Sequence, residues 1–439
     1  MLNRRHFLKQ TVGSSSLLAL SSLVPEFLVN TARAAEAGKD QVLVVVELTG
    51  GNDGLNTVIP YADDLYHKAR PKLHYTKNEI VKIDDHVGLH PSLRQLGDML
   101  QKGGLAVVQG VGYPNPNRSH FESMDVWQSA DPRRRSGTGW IARSAPELQG
   151  NSSHIAAVHL GPKELPLALQ GAAGGVVSLG TLRSYLSEPN AKDNDAKTRK
   201  RLREDLVKAS ATTQKDSMLA FVQRRQLQTY ATVDRLADLF KPPMPTPPGK
   251  PAPVPPSFPM LVPVPDGGIP GEAELSAPRN LSPKLNMVAQ LISKGLGTRV
   301  FYVSLDGFDT HAGQKQDHAG LLAELSNGVA GFFQQLKGTG HDKRVVLLTF
   351  SEFGRRVQEN SSGGTDHGAA SCLFVAGPAV KAGVVGAHPS LKDLDAGDLK
   401  YHTDFRRVYA TLLDRWLSCN SNTVLGGKFD HLDLIKAKI

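Results

Sequence analysis

Residues 42–54 read Val42-Leu43-Val44-Val45-Val46-Glu47-Leu48-Thr49-Gly50-Gly51-Asn52-Asp53-Gly54. The first five form an unbroken apolar run dominated by valine. A run without polar alternation predicts a strand buried on both faces, as in the middle of a parallel sheet. It ends in a polar, glycine-rich loop. Open α/β sheets bind ligands beyond the carboxyl ends of their strands, so this loop is the first place to look for a site.

Similar runs recur at 105–109, 155–160, 300–305, 345–350 and 371–375. Helical patterns lie between several of them, at 92–101, 121–130, 317–336 and 405–417. The alternation predicts an α/β domain with a largely parallel sheet. Residues 195–240 read as helical. Residues 242–278 then hold 14 of the 28 prolines, which excludes helix or central strand. The α/β rhythm resumes at Pro283, so this segment reads as a proline-rich excursion from one domain spanning 35–439. A two-domain split near 245–280 is the alternative.

The chain has 439 residues, 40% hydrophobic and 21% charged, a globular composition. Its two cysteines exclude a disulfide framework and a multi-cysteine metal cluster. Cys372 falls in an apolar strand and reads as inert core. Cys419 follows a helix, and pairing between the two stays open.

Residues 1–34 have the layout of a signal peptide: Arg4-Arg5 with Phe7-Leu8-Lys9, a serine-diluted apolar stretch from Val12 to Val24, then Ala32-Arg33-Ala34. The paired arginines resemble the twin-arginine export signal, with Asn3 in place of the usual Ser or Thr. That implies the twin-arginine translocase as a transient partner and a periplasmic or extracellular destination. The apolar stretch is too short and polar for a stable membrane span. Removing the segment takes the formal charge from +9 to about +6. Export makes nucleic acid an unsuitable partner. The basic runs at 133–135 and 197–203 read as solvated faces, with attraction of anionic substrates or envelope polymers as the alternative.

The other strand ends are also polar. Asp306-Gly307-Phe308-Asp309-Thr310-His311 follows one run, and Ser351-Glu352-Phe353-Gly354-Arg355 follows another. Gly364-Thr365-Asp366-His367-Gly368 precedes a third. Carboxylates and histidines from separate segments at one sheet edge suit a divalent metal ion, with zinc or manganese among the candidates. Taken singly, Asp309 could serve a turn and His367 could be structural. Ser119 sits at a loop-to-helix junction beside Arg118 and His120. It reads as an N-cap, completed as a capping box by Glu122. The same position also presents a hydroxyl where helix amides favour an anion. Arg118 could pair with phosphate or sulfate. His120 could be a base, a ligand or a buried hydrogen-bonder. His90 reads as lining a helix start, Asp404 as an N-cap, and Asp317-His318 as surface.

Gly50-Gly51-Asn52-Asp53-Gly54-Leu55-Asn56, Arg118-Ser119-His120-Phe121, Gly307-Phe308-Asp309-Thr310-His311, Ser351-Glu352-Phe353-Gly354-Arg355 and Thr365-Asp366-His367-Gly368, in this order, resemble the domain-of-unknown-function 1501 family. The resemblance covers roughly residues 40–435. It implies an alkaline phosphatase-like, doubly wound three-layer α/β/α sandwich related to sulfatases. It also implies a metal-dependent hydrolase of phosphate or sulfate esters. Ser119 would be the nucleophile, and Arg118 or Arg355 would neutralise charge. Asn52 or Asp53 would hold the metal with Asp309, His311, Glu352, Asp366 and His367. Glu352-Phe353 departs from the superfamily's Asp-His pair, and phenylalanine cannot ligate a metal. A one-metal or metal-free state is therefore open. The alternative is a non-catalytic envelope binding protein on a degenerate hydrolase scaffold.

Overall fold

The computed structural model describes residues 41–437, except 134–135, 151–154, 162–163, 172–175, 180–200, 202–203, 206–207 and 209–279. The signal segment 1–34, the proline-rich stretch 242–278 and nearly all of the helical stretch 195–240 lie outside the described residues.

The valine run forms β1 (Val42–Thr49), with its first seven residues buried. Around it lie β2 (Leu105–Gly112), β3 (Ala157–Leu160), β4 (Val176–Ser178), β5 (Val300–Asp306), β6 (Val345–Phe350), β7 (Ser371–Ala376), β8 (Gly383–Val385) and β9 (Thr403–Asp404). The spatial order is β8-β2-β7-β6-β1-β5-β3-β4, with β9 beside β2. Every pairing is parallel except those of β7, which runs antiparallel to β2 and β6. The largely parallel sheet read from the sequence is therefore present, with one reversed strand.

Two apolar clusters cover the two faces of the sheet. Alternate residues of β1 divide between them, with Val44, Val46 and Leu48 on one side and Leu43 and Val45 on the other. The first cluster takes in helices α1 (Arg94–Gln101), α4 (Leu281–Ser293) and α5 (Gln314–Gly338). The second takes in α2 (His120–Ser129), α3 (Trp140–Gln149) and α6 (Phe405–Thr411). Helices on both faces of a mostly parallel sheet make the three-layer α/β/α architecture.

The topology brings the polar segments together. The carboxyl ends of β1, β2, β5 and β6 and the start of β7 share one edge, as the register Thr49↔Asp306, Glu47↔Phe350 and Ser371↔Val111 requires. A small hairpin, Arg355–Glu359 with Thr365–His367, rises from that edge after β6. Among the described residues, no helix is long and apolar enough to cross a membrane.

Candidate metal centre

Close packing shapes the loop after β1. Gly50 has φ +115°, and a Cβ there would lie 2.4 Å from the Asp309 backbone nitrogen. Gly51 has φ +74°, and a Cβ there would lie 2.3 Å from the Phe353 ring. Glycine is required at both places, because a left-handed backbone and direct loop contact leave no room for a side chain. The Gly50 amide donates to Glu352 Oε1 at 2.9 Å, tying this loop to the one after β6.

Arg355 ties the remaining loops together. Its guanidinium is buried and donates to the carbonyls of Gly50, Gly51 (2.7 Å), Phe308 (3.0 Å) and Thr365 (2.8 Å). It also donates to Asp309 Oδ1 at 2.7 Å. A planar fork of five N–H groups is suited to this task.

Three imidazoles surround that same carboxylate oxygen. His367 Nε2 lies 3.1 Å from Asp309 Oδ1, His311 Nε2 lies 3.1 Å from it, and His120 Nε2 lies 3.4 Å from it. Each ring has its other nitrogen fixed. His367 Nδ1 donates to the Arg118 carbonyl at 2.8 Å, and His120 Nδ1 to Glu352 Oε1 at 2.8 Å. His311 Nδ1 donates to Asp366 Oδ1 at 3.3 Å. These partners only accept, so the neutral rings carry their lone pairs on Nε2. His311 Nε2 and His367 Nε2 face each other at 2.9 Å. The buried Nε2 of His120 has no hydrogen-bond partner among the described residues. Lone pairs converging on a carboxylate repel unless a proton or cation lies among them.

Local charge follows the same pattern. The hydrogen bond to Glu352 raises the pKa of His120, against its partial burial. Burial lowers that of His367, against its bond to Asp309. Burial alone would raise the Asp309 carboxyl. A bond from Arg355, joined by one from His367 when its Nε2 carries a proton, outweighs it and holds the group at about 2. The hydrogen bond from Asn360 keeps Asp366 low.

His120, Asp309 and His367 offer ligand atoms within 4.8 Å of one another. Two imidazoles and a carboxylate, each oriented by a further hydrogen bond, suit zinc and similar divalent ions. His311 stands beside them as a fourth donor. The residues present therefore fit a metal ion. Phe353 packs against His120 and His367 with ring centroids 4.9 and 4.8 Å away, giving the two ligands an apolar backing.

Other candidates are placed differently. Glu352 is buried, and its carboxylate is filled by Gly50, His120 and Ser351. It therefore orients His120. Asp366 has the same relation to His311. Asn52 and Asp53 are not brought into the cluster. Asn52 Oδ1 accepts from Thr57 Oγ1 and bonds His318 Nε2 at 2.9 Å. Asp53 is fully buried against Arg70 and also accepts from Gln314. Burial would raise its pKa, but Arg70 outweighs this and lowers it. Arg118 donates to Asp398 Oδ2, at 2.8 Å from Nε.

Two local readings are corrected. His318 is 2% exposed and bonded to Asn52, because α5 begins early enough to lay this histidine against the β1 loop. The Ser119–Glu122 capping box does not form. Ser119 is at the N-cap without a side-chain cap bond, and Glu122 instead accepts from Asn117 Nδ2. Asn117 in turn takes the Ser119 amide at 2.7 Å, and the Ser119 hydroxyl has no partner among the described residues. His90 does stand at a helix start: it is buried at the N-cap of the turn Pro91–Leu93, and its Nδ1 accepts from the Ser92 amide. Cys372 and Cys419 are free thiols, both buried.

A family model described as "Protein of unknown function (DUF1501)" matches residues 40–416. The chain belongs to this family. No curated protein sequence matches it. Solved structures similar to this DUF1501 chain include the PsFucS1 sulfatase from Pseudoalteromonas sp., at 11% identity and TM-score 0.40, over 92% of this chain and 72% of that one. A phosphonate monoester hydrolase from Silicibacter pomeroyi matches at 13% identity and TM-score 0.29, over 89% and 77%. An alkaline phosphatase from the Antarctic bacterium TAB5 matches at 10% identity and TM-score 0.29, over 78% and 93%. These likenesses concern the fold.

Arg70, Gln128 and Tyr302 escaped the sequence reading. Gln128 and Tyr302 both bond the buried Glu47 carboxylate. None carries a local motif. The one signal was Glu47 itself, a charge inside an apolar strand, which demands a partner.

Proposed function

We propose that this DUF1501 protein is an exported, metal-dependent hydrolase of phosphate or sulfate esters. The observation that carries the reading is the convergence of three imidazole Nε2 atoms on Asp309. Each of these rings is oriented by an acceptor on its other nitrogen.

His120, Asp309 and His367 would hold the ion, with His311 at the rim. The bound ion would supply positive charge to the ester oxygens and lower the pKa of a nearby hydroxyl. Ser119 presents its hydroxyl at the N-terminus of the ten-residue α2, next to His120. The exposed amides there favour an incoming anion. Ser119 Oγ would form a bond to phosphorus or sulfur while losing its proton, and the ester oxygen would leave with the bonding pair and take up a proton, departing as the alcohol. Water would then release the serine ester. Glu352 and the Arg118 carbonyl hold the rings in the tautomer that leaves Nε2 bare. Arg355 holds Asp309 in place and has its N–H groups engaged, so it positions a ligand and does not touch substrate. Export through the twin-arginine translocase, and a periplasmic or extracellular location, complete the proposal.

One observation favours a second reading, a non-catalytic binding protein on a degenerate scaffold. Arg355 is spent on five protein acceptors and the charge of Arg118 is paired with Asp398, which leaves no unpaired arginine beside the cluster to neutralise the transferred group. Metal analysis of the purified protein, with turnover of aryl phosphates and aryl sulfates, separates the two. The hydrolase reading expects bound metal lost in His367→Ala and Asp309→Ala, and turnover lost in Ser119→Ala. Metal without turnover favours the binding protein. Absence of both sinks the metal centre.

A further inference from the structure

His367 stands on the short second strand of the hairpin, Thr365–His367. The first residue of α5 holds this hairpin at two points. The Gln314 amide donates to the Gly363 carbonyl at 3.0 Å, and Gln314 Oε1 accepts from Thr365 Oγ1 at 2.6 Å. The other end of the same side chain, Nε2, donates to Asp53 Oδ2. Gln314, Thr365 and Asp53 are all fully buried. Polar groups shut away from water are fixed by the bonds they make, and here both ends of the Gln314 amide are used.

The direction of these bonds is unique. The Asp53 carboxylate, paired with Arg70, only accepts, so it draws the amide NH₂ of Gln314 and turns the amide oxygen toward Thr365. The Thr365 hydroxyl is then the donor. Thr365 in turn bonds both halves of the candidate centre through its backbone. Its N–H donates at 3.2 Å to the carbonyl of Thr310, the residue between Asp309 and His311. Its carbonyl accepts from Arg355 Nη1 at 2.8 Å, and the same guanidinium holds Asp309. His367 follows two residues later on the same strand. A shift of Thr365 therefore moves Asp309, His311 and His367 relative to one another.

We infer that Gln314 and Thr365 are positioning residues that set the spacing of the metal ligands, by tying the His367 hairpin to the buried Asp53–Arg70 pair. Neither side chain would touch the ion. Their effect passes through the backbone of Thr365 to the ligand loops. The inference rests on the proposed metal centre and not on its turnover.

The test compares wild type with Thr365→Val, which keeps the side-chain shape and removes the hydroxyl, Thr365→Ser, which restores it, Gln314→Met, and the double variant Gln314→Met/Thr365→Val. Zinc affinity is measured by competition with a chromophoric chelator. The visible spectrum of the cobalt(II)-loaded protein reports the ligand geometry, and urea curves report stability. Zinc affinity should fall about 10–100-fold in Thr365→Val and in Gln314→Met, with an altered cobalt spectrum, and Thr365→Ser should stay near wild type. The double variant should lose no more than about threefold beyond Gln314→Met alone, because the two groups share one bond. Folded variants with wild-type zinc affinity and cobalt spectrum, even at a lower urea midpoint, would overturn the inference and leave the metal centre standing. Losses that multiply in the double variant would overturn the shared tie. Should Gln314→Met fail to fold, Thr365→Val against Thr365→Ser decides alone. Wild-type protein that holds neither zinc nor cobalt would overturn the proposed function, and this inference with it.

Discussion

Replacing Arg70 by methionine tests the assignment of Asp53 as a structural group. Arg70 and Asp53 are both fully buried, joined through Nη1 to Oδ2 and through Nη2 to Oδ1 at 2.9 Å. Arg70 also donates to the carbonyls of Val357 (3.0 Å) and Arg356 (2.9 Å), which belong to the hairpin bearing Arg355. In Arg70→Met the Asp53 carboxylate stays in the interior without its cation. Removing one partner of a buried pair costs about 3–5 kcal/mol. The two stranded carbonyls push the loss toward the upper end. With an m-value of about 3 kcal/mol/M, the urea midpoint should fall by about 1 M or more. The defect should depend on pH. In wild type the Asp53 pKa is lowered, so its contribution is present above the unfolded carboxylate value and lost as pH falls below it. In Arg70→Met the unpaired carboxyl has a raised pKa, so protonation relieves the defect and the loss at pH 7.5 shrinks toward pH 5. Asp53→Asn/Arg70→Met should recover much of the stability lost in Arg70→Met, because no isolated charge remains. Urea curves at the two pH values, with metal analysis of each variant, make the measurement. Folded Asp53→Asn protein of unchanged midpoint that has lost its metal would refute the reasoning and make Asp53 a ligand.

The remaining predictions follow from the same geometry. Arg355→Lys should bind metal about 10–100-fold more weakly by competition titration, because an ammonium cannot span five acceptors and hold Asp309. Chelation of wild-type protein should lower its thermal midpoint, since metal stabilises only the folded state; His367→Ala should show no such response. Gly354→Ala puts a Cβ 2.1 Å from the Ala370 carbonyl oxygen, so about 1–3 kcal/mol of stability should be lost in urea. Glu47 is buried and its pKa is raised to about 7, so the folded state keeps a proton that the unfolded chain releases. Stability should therefore fall as pH rises from about 4.5 to 7, by at most about 3 kcal/mol, and Glu47→Gln should flatten that slope. An unchanged slope in the variant would assign the pH dependence to another group.

Much of the fold was legible because its signals are local. The valine run, the five other runs and the four helical patterns all lie where unbroken or periodic apolar residues placed them, while the short strands β4, β8 and β9 had no such signal. Glycines marked the loops. Strand order was not legible. Nothing near residue 371 says that β7 runs antiparallel between β2 and β6. The site was legible to the extent that polar residues follow strands. Asp309, His311 and His367 were found in that way, and all three stand together. His120 is the fourth imidazole-or-carboxylate partner, and the sequence left its role open between base, ligand and hydrogen-bonder. The structure decides its place by fixing its Nδ1 on Glu352, 232 positions away in sequence.

The amino-acid sequence by itself determined which segments become strands, that their carboxyl ends carry ligand-type side chains, and that thiolates take no part. Only the tertiary structure decided which polar groups are free. A buried charge must find a partner, and the topology chooses that partner from distant positions. Asp53 meets Arg70, Arg118 meets Asp398, and Arg355 is shared among carbonyls of three loops. Around the candidate centre, those pairings leave imidazole lone pairs facing Asp309 and, among the described residues, the Ser119 hydroxyl without a partner.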